Sequence, residues 1–149
     1  MVGQPILSRR GLLALSAACA LWARPGFAMF ARMTTQDLIE TSEIVVIGRL
    51  EPPVRVQIAT QTLRVNPITV LEAFKPGVAP PDPVFLWQPL DQAARSGADI
   101  VRPVGSQGLW FLRRINNAIP FLSADHPQRF VPSGRMTPVL AEVRTILKR

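Results

Sequence analysis

Proline punctuation constrains this chain more than any other feature: 15 prolines in 149 residues cut its β-branched runs into short pieces. Proline fixes φ and has no N–H to give to a strand ladder. Pro52-Pro53 closes the run "EIVVIGRLE", Glu43 to Glu51, which reads as a strand rich in β-branched residues. Asn66-Pro67 interrupts the next long run, predicting a bulge or an edge position, and Lys75-Pro76-Gly77 ends it. The segment "VAPPDP" then reads as a stiff loop inside one domain. Strands this short leave exposed edges unless they close into a ring or are covered, and a small barrel does so within one domain.

Alternation assigns the faces. In Glu43 to Glu51, Ile44, Val46 and Leu50 share one face while Val45 and Ile47 share the other, so the first half is expected to be covered on both sides. Gly48 breaks the alternation, as glycine does where a strand bulges or bends. Val54, Val56 and Ile58 alternate with Arg55 and Gln57 in a half-exposed strand. Ala59-Thr60-Gln61 turns the chain, Leu63 and Val65 open the return strand, and Ile68 to Phe74 continue it. "VFLWQ" (Val84 to Gln88), "GLWFLRRI" and "AIPFLS" supply further strands, the last two joined by an Asn116-Asn117 turn that tolerates left-handed backbone. "PLDQAARSG" predicts a helical turn or two closed by Gly97.

Helices flank the strands. Thr34 with Asp37 approximates a capping box for a short helix through Ser42. Thr137-Pro138 reads as N-cap and first helical residue of a C-terminal helix. Its Val139, Leu140, Val143, Ile146 and Leu147 recur at helical spacing, with Arg144 and Lys148 in solvent. The expected fold is mostly β: a small OB-like, partly closed antiparallel barrel of five or six strands with a short N-terminal helix and a C-terminal helix.

The stretch "SRRGLLALSAACALWARPGFA", Ser8 to Ala28, stands outside this pattern. Leu12 to Ala23 is apolar nearly all round, yet far shorter than the roughly 20 residues of a membrane span. Arg9 and Arg10 precede it, Pro25-Gly26 end it, and Gly26 and Ala28 place small residues where a signal peptidase cuts. The order Ser8-Arg9-Arg10-Gly11-Leu12-Leu13 is similar to the twin-arginine export motif. Residues 1–28 are therefore expected to be a cleaved export signal and residues 29–149 a single periplasmic or secreted domain with no transmembrane span. Cys19, the only cysteine, lies inside the signal in a loose lipoprotein-box context, and lipid anchoring through it is the alternative. Removal of Arg9, Arg10 and Arg24 takes 17 basic residues to 14 against ten acidic ones, so the net charge falls from +7 to +4. The remaining basic residues are scattered, unlike the concentrated face of a nucleic-acid binder.

The succession "SEIVVIGRL", "ITVLEAFKPG" and "GLWFLRR" resembles small exported bacterial domains of the OB-like, netrin/metalloprotease-inhibitor-like barrel class. The resemblance spans residues 37–115, with Pro76 splitting the Lys-Gly pair that closes the middle strand in that class. It implies a barrel. Metalloprotease inhibition in that class relies on an amino-terminal cysteine, which residues 29–149 lack, so this activity is not implied here.

Few groups suit catalysis. His126, after Asp125 in "SADHPQRF", is the only histidine, and Ser106 in "VGSQG" does not form the nucleophile elbow. No metal-ligand spacing surrounds His126, and no phosphate-cradling loop is present. No cofactor or metal is expected. Trp87 and Trp110, read as strand residues, with Arg113 and Arg114 close behind the second, suit a patch for a carboxylate, a phosphate or a partner protein. The alternative assignment places both tryptophans in the core. The chain is thus expected to be a non-enzymatic interaction or accessory domain of the bacterial envelope, binding another envelope protein or an anionic ligand through Trp87, Trp110, Arg113, Arg114 and His126. A small periplasmic hydrolase centred on His126 is the alternative.

Overall fold

The computed structural model describes residues 30–75, 82–89, 100–116 and 119–148. The expected export signal with Arg9, Arg10, Cys19 and Ala28, most of the helical turn expected at Pro89 to Gly97, and Asn117 of the expected turn lie outside them. The elements are α1 (Thr35–Glu40), β1 (Ile44–Leu50), β2 (Val54–Ile58), β3 (Gln61–Ala73), β4 (Pro83–Leu86), β5 (Gln107–Asn116), β6 (Ile119–Ser123), β7 (Phe130–Pro132) and α2 (Met136–Leu147).

Five strands form a closed mixed barrel in the order β1-β3-β4-β6-β5, with β5 pairing back onto β1. Strand β5 lies beside β1, so β5-β1-β3-β4 is a Greek key. One contact departs from the antiparallel expectation: β4 and β6 run parallel, meeting at Leu86 and Leu122. The remaining two strands extend the ring, β2 as a hairpin arm on β3 and β7 on β5.

The two faces read from β1 lead to two cores. Val46 and Leu50 fill the barrel with Ile68, Val70, Leu86, Trp110 and Leu112, and Ile44 packs against them. Val45 and Ile47 face outward and meet Leu109, Phe111, Leu38, Ile39 and Val143. The helices thus cover the outer face of β1 and β5. Both strands carry consecutive buried residues, Val45 to Ile47 and Leu109 to Leu112, because both faces are covered.

The expected capping box is present at Thr34 and Asp37. The C-terminal start differs from expectation. A 3-10 turn, Ser133–Arg135, leads directly into α2, so Arg135 occupies the cap and Thr137-Pro138 lie in the first turn, where proline loses no helical bond. Val143 is buried and Val139, Leu140 and Ile146 pack beside it, but Leu147 ends the helix 38% exposed.

Gly48 marks a bulge, as expected, with the register of β1 on β3 shifting between Ile47 and Gly48. The extra residue is Leu71 on β3, which points into solvent at 52% exposure. Pro67 does not break β3, which runs unbroken from Gln61 to Ala73. It sits where β3 exchanges β2 for β1, between Val65, paired to Val54, and Ile68, paired to Leu50. Its carbonyl accepts the Glu51 N–H at 2.8 Å.

Candidate functional site

Beyond Leu86 and Leu122 the parallel strands part after one backbone bond, from Trp87 N–H to the Leu122 carbonyl at 2.8 Å. The divergence opens a cavity of about 100 Å³ between residues 86–89 on one side and 123–125 on the other, with Ile100 and Arg102 completing it. At ~30 Å³ per water, that is room for about three waters or a small anionic group. Trp87 lies one residue past β4 rather than within it, and the residue is 39% exposed.

A buried amide network carries the cavity wall. Gln88 donates to Asn66 Oδ1 at 3.0 Å and to the Arg102 carbonyl at 3.2 Å, and accepts the Arg102 N–H at 3.0 Å. Asn66, fully buried, donates to the Glu51 carbonyl at 3.0 Å. These bonds hold the Arg102 backbone against the barrel. The Arg102 guanidinium lies 5.2 Å over the Phe130 ring, and its Nη2 donates to the Pro127 carbonyl at 3.0 Å. Its Nε is buried without a partner, and among the described residues no carboxylate lies within ion-pair distance. Burial pushes its pKa down from the ordinary arginine value.

The residues expected to bind do not form one patch. Trp110 is fully buried in the barrel, and its Nε1 donates to the Gly48 carbonyl at 3.0 Å. Arg113 grips Asp125 through Nε and Nη2, while Arg114 grips Glu43. Adjacent strand residues leave on opposite sides, which separates these two arginines. His126 is occupied at both ring nitrogens: Nδ1 accepts the Gln128 N–H at 3.1 Å, capping the 3-10 turn Pro127–Arg129, so Nε2 carries the proton it donates to the Ala31 carbonyl at 2.9 Å. Asp125 bonds to arginines rather than to His126, and Ser106 Oγ donates to the Pro103 carbonyl at 2.7 Å. These three groups therefore make no Ser-His-Asp relay here. Among the described residues no group of three or more His, Cys, Asp or Glu is placed to hold a metal ion, and no helix is long and apolar enough to cross a membrane.

Compared with protein-family models, curated proteins and solved structures, this chain matches none.

Sequence reasoning missed Arg102, Gln88 and Arg129. Arg129 is only 4% exposed and ties the end of α1 to the barrel through Ser42 Oγ, Thr41 Oγ1 and the Phe111 carbonyl. Lys75 Nζ reaches the Ile39 and Ser42 carbonyls, so two cations meet the C-terminal end of α1, where helix carbonyls carry partial negative charge. In sequence these are scattered basic residues, with no spacing that separates a buried one from an exposed one.

Asp125 links this network to the cavity. Its pKa is held below the ordinary carboxylate value chiefly by the Arg113 hydrogen bond, with further attraction from Arg113 and Arg129. The stability it contributes is complete above the ordinary carboxylate pKa and is lost as pH falls through the lower folded value. Because the carboxylate is 41% exposed, solvent screening limits this to about 1 kcal/mol or less. Urea titrations across the acid range are expected to show a shallower loss of stability for Asp125→Asn than for the native protein. Identical slopes would remove Asp125 from the acid response.

Proposed function

We propose that this chain is an exported, non-enzymatic interaction or accessory domain of the bacterial envelope. It acts in the periplasm or as a secreted protein, and it holds an anionic group of a ligand or partner protein in the cleft between Trp87 and Arg102. The observation that carries the binding assignment is Arg102, a partly buried cation at a cavity wall with no carboxylate of its own among the described residues. An arriving carboxylate would offset the desolvation of the guanidinium, while the exposed indole of Trp87 gives an apolar surface beside it. The Greek-key closure of five strands supports placing the domain with OB-like barrels of the netrin/metalloprotease-inhibitor-like class.

Sodium propionate tests the cleft. In ¹⁵N spectra its titration is expected to move the Trp87 indole resonance saturably, and the uncharged propionamide to leave it in place. Arg102→Gln is expected to weaken binding at least tenfold, while Arg114→Gln, whose arginine holds Glu43 and does not line the cavity, changes it less than twofold. Native-like binding by Arg102→Gln would end this assignment. The address is tested separately by the mass of protein recovered from the envelope of an expressing bacterium. Residues 29–149 alone are expected, whereas a species beginning at Cys19 with added acyl mass would make the domain lipid-anchored.

A further inference from the structure

We infer that the open edge of β2 is a docking edge for an extended, acidic segment of a partner protein. Strand β2 pairs with β3 alone, and among the described residues no strand lies beside its other edge. With the opening residues of β3 it forms a two-stranded arm off the barrel ring, and two-stranded arms are marginal until a further strand or a packing layer is added.

The side chains specify what the added strand should carry. Arg55 stands directly opposite Arg64, and like charges in this position repel. Both are exposed, and among the described residues neither has a carboxylate within ion-pair distance, although Arg49, Arg113, Arg114, Arg129 and Arg144 each do. The opposite face carries Val54, 39% exposed, with Val56, Ile58 and Leu63 half-buried. A strand added to β2 therefore meets arginines on one face and aliphatic side chains on the other. Because side chains alternate with a period of two, the complementary segment alternates acidic and apolar residues. A second copy of this chain fits poorly, since edge-to-edge pairing of two β2 strands would gather four arginines on the joined sheet. No residue of this arm lines the Trp87–Arg102 cleft, and the inference does not rest on that cleft.

The probe is a synthetic hexapeptide alternating glutamate and valine, titrated into the ¹⁵N-labelled protein beside a lysine–valine hexapeptide and short polyglutamate. Saturable binding of the glutamate–valine peptide is expected, with amide shifts concentrated along residues 54–58. The double variant Arg55→Glu with Arg64→Glu, both at exposed positions, is expected to fold as the native protein does, to weaken that peptide at least tenfold and to gain binding of the lysine–valine peptide. Arg102→Gln should leave this binding unchanged. The inference is overturned by absence of saturable binding, by shifts confined to other strands, or by equal affinity for the double variant. Polyglutamate binding as tightly would assign the effect to charge alone and overturn strand addition. Self-association abolished by the double variant would give the edge to a second copy instead.

Discussion

Gly108→Ala is expected to destabilise the protein by about 3–4 kcal/mol, more than a surface glycine substitution in a strand would cost. Gly108 sits in β5 opposite Gly48 of β1 on one side and Pro132 of β7 on the other. A Cβ added there would lie 2.1 Å from the Val131 carbonyl oxygen, 2.9 Å from Phe130 Cε2 and 3.0 Å from Pro132 Cα. Two of those three atoms are backbone, so no rotamer change relieves the overlap and β7 itself must move. Moving it disturbs Phe130, whose ring centroid is 4.3 Å from that of Trp110, and Val131, which packs in the outer core under α2. The strain therefore reaches both cores. For a domain of this size the melting temperature should fall by about 10 °C or more. Gly134→Ala is the matched comparison, because a Cβ there meets nothing within 4 Å. If urea midpoints place Gly108→Ala within about 0.5 kcal/mol of Gly134→Ala, the close packing of β7 on β5 is wrong.

How far the sequence discloses this molecule depends on whether the information is local. The two faces of β1, the bulge at Gly48, the capping box at Thr34 and the buried stripe of α2 all arise within a few residues, and each is found at or near its expected place. Closure through a parallel β4–β6 contact is not local. It joins strands more than 30 residues apart through one residue pair, Leu86 and Leu122, and neither strand carries a mark of its partner. The cavity is a consequence of that contact, so it was invisible as well. The same limit explains the sorting of the tryptophans. Trp87 and Trp110 each follow apolar residues in β-rich runs, yet one leaves its strand beside a diverging pair while the other points into a closed barrel. Arg102 shows the limit most sharply, since its lack of an ion-pair partner among the described residues depends on where distant carboxylates end up.

Trp110→Ala is expected to cost about 3–5 kcal/mol, the range of large aromatic truncations in a packed core. Among the described residues Trp110 is the largest fully buried side chain, and it belongs to the barrel cluster that includes Val46, Leu50, Ile68 and Leu112, so its removal empties the centre of the ring. Its polar edge adds a second cost. The β1 backbone at Gly48 lies at the register shift against β3, and the carbonyl there receives the indole Nε1–H at 3.0 Å. Trp110→Phe keeps most of the apolar volume but leaves that buried acceptor without its donor, which should cost about 1–3 kcal/mol. The pair of variants therefore separates volume from hydrogen bonding, with urea denaturation ordering them native, Phe, Ala. The phenylalanine variant also bears on function. If Trp110 is a core residue, propionate should bind Trp110→Phe with native affinity under conditions where the variant is fully folded, while Trp87→Ala should bind weakly and unfold near the native midpoint. Native stability for Trp110→Ala, or loss of propionate binding in a fully folded Trp110→Phe, would return Trp110 to the ligand surface and require the barrel interior to be redrawn.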